Sequence, residues 1–418
     1  MAHAIIRDTI GTKTFSSADM GGATPTAALI FSTGIISTNP RATGILSIGM
    51  TDGSFEAASA INSADNVGTT DETRHHIETG CLLITGGSQS GAAVLASFDS
   101  FTTNGIVLDF TTVNGAAYEI TVVLFDYTVV GCARAAPGTT TSSTADLSVT
   151  GQPDIMFFVG SGLPPASLGT ATTHAIISFG AAAYDGSTIT QGLNLFTARD
   201  NEGTSIVNSV RGTLSVLGQA ISNAINWTAG VTGVSASAIT LTTGSSGATG
   251  GDIGFFLAMD SGGDAKVMEV TSPANAAVDW TVTGVGFQPD IAILATNLVQ
   301  TTGIAESTGT GAFGFGFVDS HGNLSSHEIS NDDAFGASQT QSRGSANFLD
   351  FSDSAGAQAF LSSGTPTLNS DGFTLADADL TTANGTVRKW CGIFIKEAVA
   401  ESFPSELFKP THNTLSRL

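Results

Sequence analysis

Short apolar segments separated by turn residues follow one another along almost the whole chain. Most of these segments alternate or stay apolar for about 5–8 residues and then end at Gly, Asn, Asp or Ser. This rhythm is typical of strands and turns in β-sandwiches rather than of helices. Helical periodicity is limited to two short candidates, Glu56 to Asn62 and Gln219 to Trp227. The pattern predicts an all-β protein with little helix.

The same landmarks occur three times along the chain, which indicates an internal repeat. Each copy has a turn proline before an apolar strand, then an apolar run that ends in a hairpin signal, then a second hairpin and a strongly apolar closing strand. The prolines are Pro25, Pro153 and Pro289, and the first hairpins are at Asp52-Gly53, Asp185-Gly186 and His321-Gly322. The second hairpins begin near Asn104, Ala236 and Asp371, and the closing strands begin at Glu119, Asp252 and Lys389.

The repeat predicts three tandem antiparallel β-sandwich (jelly-roll-like) domains. We place them at residues 1–130, 131–264 and 265–397, each with two packed sheets and its own apolar interior. Residues 398–418 fall outside the pattern and are interpreted as a C-terminal tail or docking arm.

A further landmark is a carboxylate followed by an arginine. The pairs are Asp65 and Arg74, Asp200 and Arg211, and Asp332 and Arg343. A repeated arginine near a repeated carboxylate favours a structural ion pair that fixes a long loop. A ligand site that is present three times is the alternative.

Charge narrows the possible partners. The net charge is −22, which disfavours binding to nucleic acid and to anionic membrane surfaces. Charged residues make up only 12%, so Ser, Thr, Asn, Gln and Gly must cover much of the surface. The three cysteines, Cys81, Cys132 and Cys391, are odd in number and widely spaced, which predicts free thiols rather than a disulfide framework.

The densest polar cluster contains Asp71, Glu72, Arg74, His75, His76 and Glu78. Neighbouring histidines with acids nearby could bind a transition metal, but adjacent residues of a strand point to opposite faces, and we expect a solvated loop. Aspartates in Gly/Ser/Asn-rich loops leave Ca²⁺ as an alternative: Asp260, Asp264, Asp332, Asp333, Asp350 and Asp353. No nucleophile elbow, P-loop or zinc-protease motif is present, so we predict no catalytic residue, no cofactor and no metal centre.

The repeat resembles domains in structural proteins of tailed bacteriophages, in which a G-F-x-P-D turn, a D-G hairpin, a D-N segment and a terminal D-G-F-T-L hairpin recur. Here these are Gly286 to Asp290, Asp185-Gly186, Asp200-Asn201 and Asp371 to Leu375. Copy one departs from the pattern, because it has Pro25-Thr26 in place of the first turn. The resemblance implies a virion component that is synthesised in the host cytoplasm, and it brings no catalytic residues.

We therefore expect a non-enzymatic virion protein on the particle exterior, most simply a capsid decoration protein that acts as a pseudo-trimeric unit. Its partners would be the major capsid protein, tail proteins or further copies of itself. One alternative is a tail adhesin that recognises a host surface glycan, although Tyr and Trp number only three each. A fibre or surface-layer subunit and a polysaccharide-degrading enzyme are the remaining alternatives.

Overall fold

The computed structural model describes residues 1–397 except 8, 36–42, 65–67, 86–91, 115, 204–206, 222–223, 245–251, 275–277, 298–309, 333–339, 353–357, 363, 377–379 and 384–387. The described residues form antiparallel strands, turns and two single-turn 3₁₀ helices, at Ala18–Met20 and Pro165–Ser167. The predicted all-β sandwich class is confirmed.

The first sandwich is formed by ten strands. They are β1 (Ala2–Arg7), β2 (Gly11–Ser16), β3 (Ala27–Ile35), β4 (Thr43–Thr51), β5 (Glu56–Ala64), β6 (Glu72–Ile77), β7 (Leu82–Thr85), β8 (Ala92–Thr102), β9 (Gly105–Thr112) and β10 (Ala117–Phe125). The larger sheet has the order β1-β10-β3-β4-β5-β6, and the smaller sheet has the order β2-β9-β8-β7.

The second sandwich follows the same plan. Its strands are β11 (Thr128–Ala135), β12 (Thr144–Ser148), β13 (Ile155–Leu163), β15 (Ala175–Tyr184), β16 (Ile189–Ala198), β17 (Val207–Gly212), β18 (Leu217–Ile221), β19 (Ala224–Val234), β20 (Ala238–Thr243) and β21 (Ile253–Asp260). The sheets are β11-β21-β13-β15-β16-β17 and β12-β20-β19-β18. The short strand β14 (Thr172–Thr173) pairs instead with β6 of the first sandwich.

The third sandwich repeats the larger sheet. Its strands are β22 (Ala265–Thr271), β23 (Trp280–Val282), β24 (Ile291–Thr296), β25 (Thr310–Asp319), β26 (Leu324–Asp332), β27 (Thr340–Ser345), β28 (Leu349–Ser352), β29 (Gln358–Ser362), β30 (Thr367–Asn369), β31 (Gly372–Leu375), β32 (Leu380–Ala383) and β33 (Lys389–Ile395). The larger sheet is β22-β33-β24-β25-β26-β27, and two smaller sheets, β23-β31-β30 and β28-β29-β32, accompany it.

One strand order therefore appears three times in the larger sheets: the opening strand pairs with the closing strand, and a four-strand meander follows. Of the two predicted borders, 130/131 falls inside β11, which pairs with β21 of the second sandwich. The border at 264/265 coincides with the start of β22.

The first hairpin of each repeat folds as its turn residues require. Gly53, Gly186 and Gly322 have φ of 84°, 90° and 83°, a region that favours glycine. In the first hairpin, the Asp52 carboxylate accepts hydrogen bonds from the backbone amides of Ser54 and Phe55 at 2.8 and 2.7 Å. This side-chain turn mimics a backbone turn and fixes the register of β4 on β5.

Strands of the larger sheets are buried on both faces. In β13 every residue is buried, because Met156 and Phe158 face the interior of the second sandwich while Phe157 and Val159 face the other sandwiches. The same double burial explains why the two helical candidates were wrong. Glu56 to Asn62 lies in β5, and Gln219 to Trp227 spans the ends of β18 and β19. Apolar residues at consecutive positions indicate a strand between two layers here.

Each sandwich has an interior apolar cluster between its sheets, and a fourth cluster is shared. We call this fourth one the central cluster. It draws residues from the outer faces of all three larger sheets and includes three rings in mutual contact, Phe31, Phe179 and Phe315. Their centroid separations of 4.9 to 6.1 Å are those of favourable aromatic pairs.

The three sandwiches contact one another in a cycle. Strands β5 and β6 of the first lie against β13 and β15 of the second, β16 and β17 of the second lie against β22 and β25 of the third, and β26 and β27 of the third lie against β3 and β4 of the first. The last two meander strands of each sandwich therefore lie against the next sandwich, although at the second contact the opening strand β22 takes the place of the first meander strand. The head-to-tail series closes within one chain. We call the contacts the first–second, second–third and third–first junctions.

Candidate functional site

The first–second junction buries a histidine against an aromatic ring. His76 of β6 stacks on Phe255 of β21 with ring centroids 3.8 Å apart. Its Nδ1 lies 2.6 Å from the Ser59 hydroxyl and 3.1 Å from the Ser161 hydroxyl, which belongs to the second sandwich. Burial holds the pKa of His76 well below its ordinary value, so the ring is neutral at pH 7.

Arg74 is the charged group of the same junction. It is nine-tenths buried, and its Nε donates to the Thr172 hydroxyl of β14 at 3.3 Å. Burial lowers its pKa to about 10, while the carboxylate of Asp252 in the second sandwich opposes that shift. The guanidinium thus stays charged, and its Nη1 has no hydrogen-bond partner among the described residues.

The second–third junction contains an equivalent arginine in an ion pair. Arg211 of β17 is 2% exposed; its Nη2 lies 3.2 Å from the Glu269 carboxylate and donates to the Trp390 carbonyl oxygen at 3.0 Å. Lys389 also pairs with Glu269, at 2.8 Å. Asn194 of β16 adds a hydrogen bond to the Ala295 carbonyl oxygen at 3.2 Å.

The third–first junction combines hydroxyl and imidazole groups with a buried ion pair, in which the Met1 amine of the first sandwich lies 3.2 Å from the Asp319 carboxylate of the third. The two ring nitrogens of His327 lie 3.2 Å from the Thr33 hydroxyl and 2.7 Å from the Thr121 hydroxyl, both in the first sandwich. Thr121 also hydrogen-bonds Ser325 at 2.5 Å. Gly344 of β27 packs so closely on the first sandwich that a Cβ there would lie 2.5 Å from the Glu119 carboxylate.

The three landmark arginines occupy equivalent strands but not the same face. Arg74 pairs in register with Ile61, and Arg211 with Asn194, and both arginines lie at junctions. Arg343 pairs with Glu328, one position away from Ile329, which faces the central cluster. A one-residue shift reverses the face of a strand side chain, so Arg343 is turned away from that cluster.

Arg211 and Arg343 form ion pairs with carboxylates that are not among the repeat landmarks. Arg343 forms its ion pair with Asp350 of β28, and Arg211 pairs with Glu269 rather than Asp200. Asp200 instead accepts a hydrogen bond from the Glu72 backbone amide at 3.0 Å, which ties a loop of the second sandwich to β6. Asp65 lies outside the described residues, and Asp332 is described only as the last backbone position of β26.

The prediction of a solvated loop at the double histidine is wrong for Glu72 to Ile77. These residues form β6, and every one of them is buried. Glu72 is fully buried, and its carboxylate accepts hydrogen bonds from Ser63 at 2.6 Å and from Asn331 of the third sandwich at 3.3 Å. Burial raises the pKa of Glu72 well above its ordinary value, which favours the protonated form. A polar sequence can be buried here because another sandwich supplies its partners.

One cavity lies where all three sandwiches meet, and we call it the axial pocket. Its volume is about 310 Å³. It is lined by Asp126, Tyr127, Thr128, Asp260, Ser261, Gly262 and Glu397. Asp126 follows β10, Asp260 ends β21 and Glu397 follows β33, so each closing strand delivers one carboxylate to it. Tyr127 also belongs to the central cluster.

The sequence carries a signal for this pocket that is not among the repeat landmarks. Each closing strand ends in an acidic residue within one or two positions: Asp126, Asp260 and Glu397. A larger cavity of about 640 Å³ lies next to the axial pocket, between the second and third sandwiches. The two cavities share Asp260 and Gly262 in their linings, and the larger one is also lined by Lys266 and Phe287.

The loop aspartates considered for Ca²⁺ lie in different surroundings. Asp350 is buried against Arg343, and Asp264 lies 3.8 Å from Lys396. Asp333 and Asp353 lie outside the described residues, and Asp260 lines the axial pocket. A different group, Asp19, Asp319 and His321, brings three possible metal-ligand atoms within 4.8 Å of one another. There the Met1 amine lies 3.2 Å from the Asp319 carboxylate.

The three cysteines are free thiols, as predicted. None of the helices in the described part of the chain is long and apolar enough to cross a membrane. Comparison of the chain with protein-family models, with curated proteins and with solved structures found no match.

Proposed function

We propose that this protein is a non-enzymatic structural component of a bacteriophage virion. In this proposal it acts as a decoration protein that binds the particle exterior at local threefold points. The observation that carries the proposal is the closed cycle of three sandwiches with one shared strand order in a single chain. Such a cycle presents three similar outer surfaces to a symmetric shell without requiring three chains to associate.

The buried chemistry supports a role in holding shape. His76, Arg211 and His327 are each engaged by groups of a neighbouring sandwich, so these buried polar groups serve the junctions. Hydrogen-bonded polar groups in a buried contact fix one arrangement more strictly than apolar packing alone. A rigid unit of three lobes suits a protein that contacts three capsid subunits at once and holds them together.

Surface charge favours a protein partner. The chain carries a net charge of −22, so it repels nucleic acid and favours a partner surface with exposed basic residues. The proposed partner is the major capsid protein, with tail proteins as the alternative location.

The test is to purify particles that contain this chain, measure its copy number by quantitative mass spectrometry and reconstruct the particle by cryo-electron microscopy. We expect about one chain for every three capsid subunits, with three-lobed density on local threefold points. A copy number of only a handful, with density at the tail tip, would replace the proposal with the adhesin alternative. Absence from purified particles would overturn both.

A further inference from the structure

The third–first junction contains a segment of the first sandwich that is longer than its counterpart in the second. Residues 17–26 join β2 to β3, whereas residues 149–154 join β12 to β13. The longer segment forms the 3₁₀ helix Ala18–Met20, which carries the partly exposed carboxylate of Asp19. Oδ2 of Asp19 accepts a hydrogen bond from Nδ2 of Asn323 in the third sandwich at 2.5 Å. The longer segment therefore brings a carboxylate of the first sandwich to the third.

The hairpin of the third sandwich that meets this segment is also longer than its counterpart. In the first sandwich, the Asp52 carboxylate accepts a hydrogen bond from the backbone amide of Phe55, three positions on. In the third, the Asp319 carboxylate accepts one from the backbone amide of Asn323, four positions on. His321 lies within this wider turn; its backbone amide donates to the same carboxylate at 3.1 Å, and its side chain is exposed. The turn therefore holds a carboxylate and an imidazole close together.

Three donor atoms converge where the two segments meet. One carboxylate oxygen each of Asp19 and Asp319 and one ring nitrogen of His321 lie within 4.8 Å of one another. Bonds from Zn²⁺ to nitrogen and oxygen are about 2.0–2.2 Å long, so the ligands of a tetrahedral site lie roughly 3.5 Å apart. The exposed ring of His321 can rotate to close the difference. An imidazole between two carboxylates is a donor set for a transition metal, and here it is drawn from two sandwiches.

The balance of charge at this place also favours a cation. Among the described ion pairs, the two carboxylates share one cationic partner, the Met1 amine, which lies 3.2 Å from Oδ2 of Asp319. The hydrogen bond from Asn323 is the main cause that holds the pKa of Asp19 below its ordinary value, so this carboxylate is ionised at pH 7. The two carboxylates therefore carry one negative charge more than the amine balances.

We propose that Asp19, Asp319 and His321 bind a divalent transition-metal ion of the Zn²⁺ type. Zn²⁺ accepts imidazole nitrogen and carboxylate oxygen together, whereas Ca²⁺ and Mg²⁺ take oxygen ligands. The side-chain amide of Asn323 contacts both carboxylates, and its rotation exchanges Nδ2 for Oδ1, which is a fourth ligand. The ion takes over Oδ2 of Asp319 from the Met1 amine. Because its ligands come from two sandwiches, the ion clamps the junction that closes the cycle, independently of the proposed virion role.

The first experiment measures Zn²⁺ binding by the full chain after treatment with a chelator and dialysis. Isothermal titration calorimetry with ZnCl₂ is run on the wild type, on Asp19→Asn and on His321→Gln. Each variant should bind at least about tenfold more weakly, since even the loss of a group that only orients a ligand costs that much. The matched control is His174→Gln, which removes a half-buried histidine near Asp200 and Glu202 and should leave binding unchanged.

Hydrogen exchange distinguishes a clamp between sandwiches from an ion on the surface of one. With ZnCl₂, exchange should become slower both in the 3₁₀ helix Ala18–Met20 and in the hairpin between β25 and β26, and His321→Gln should not show this change. In chelator, His321→Gln should unfold at the same temperature as the wild type, because the ring is exposed, so lost binding is not lost folding.

Three results overturn the proposal. One is no binding by the wild type up to about 1 mM ZnCl₂, far above the concentrations that fill structural zinc sites. Another is equal binding by the wild type, Asp19→Asn and His321→Gln, since the ion would then be adventitious. The third is tighter binding of CaCl₂ than of ZnCl₂, because the imidazole would then not be a ligand.

Discussion

The second–third and third–first junctions both place the last two meander strands of one sandwich on the next, but they differ in chemistry. At the second–third junction, the charged Arg211 lies against Glu269 and Trp390 of the next sandwich. At the third–first junction, the corresponding strand presents Gly344, and His327 is bound by two hydroxyl groups. The repeated fold therefore keeps the same kind of contact between strands, while the side chains that stabilise the contact differ from one junction to the next. The two junctions should respond differently to mutation, pH and salt.

The largest expected effect comes from Arg211→Ala. Removal of the buried Arg211 side chain leaves a cavity and takes away the donor to the Trp390 carbonyl oxygen, whereas Glu269 keeps its pair with Lys389; losses of this kind typically cost about 2–5 kcal/mol. We expect the free energy of unfolding in urea to fall by about that amount. Arg199→Ala is the control, because Arg199 forms a partly exposed pair with Glu202 at 2.7 Å, and it should cost less than about 1 kcal/mol. Equal losses in the two variants would contradict a special role for the junction.

Gly344→Ala tests the third–first junction. The added Cβ would lie 2.5 Å from the Glu119 carboxylate and 2.7 Å from the Thr33 hydroxyl, so these side chains or the strands that carry them must shift. Overpacking of this kind costs about 1–3 kcal/mol. The control is Gly203→Ala, where a Cβ would meet nothing within 4 Å. If both variants unfold at the same urea concentration, the close contact at the third–first junction does not exist in solution.

The first–second junction should be sensitive to acid through His76. Its pKa is held below the ordinary 6.5, so the unfolded chain takes up a proton on this residue at a pH where the folded chain does not. The contribution of the neutral ring is complete above pH 6.5 and is lost as the pH falls below it, by about 1.4 kcal/mol per pH unit.

The measurement is the difference in unfolding free energy between wild type and His76→Gln at pH 7 and pH 5. The stability advantage of the wild type should shrink at the lower pH. Glu72, whose pKa is raised, acts in the opposite direction, but it is present in both proteins and cancels in the difference. A difference that is constant with pH would mean that the ring is accessible to protons in the folded state.

The smallest expected effect is at the exposed edge of the same junction. Arg134 and Glu78 form a two-pronged pair there, with Nε to Oε1 at 2.6 Å, and the arginine side chain is 40% exposed. Glu78→Gln should cost less than about 1 kcal/mol, and the loss should shrink in 1 M salt because exposed charges are screened. A large loss that salt does not change would place this pair among the buried contacts.

Local signals made the strands and hairpins predictable from sequence. Asp52-Gly53 and Asp185-Gly186 carry their own turn chemistry, so their positions follow from a few adjacent residues. The face of each landmark arginine could not be predicted, because Arg343 differs from Arg211 by its register in the strand. Burial of the polar strand β6 could not be predicted either, since some of its hydrogen-bond partners, such as Ser161 and Asn331, lie far along the chain.

The cycle itself also depends on distant residues. Thr33 and His327 are 294 positions apart, and no local pattern joins them. Repeated landmarks predicted three similar units, but they carry no information on which strands of one unit contact the next. The axial pocket followed from that closure, because its carboxylates come from three closing strands.

The short strand β14 has a consequence for biosynthesis. It pairs Thr172 and Thr173 with Arg74 and Thr73, so it covers β6, which is otherwise the edge strand of the larger sheet of the first sandwich. An uncovered rim of a sheet is a template for pairing with other chains. On a ribosome, the first sandwich can be complete before β14 is made, and until then it has both an open rim and an apolar outer face. Truncated chains that stop before residue 172 should therefore aggregate.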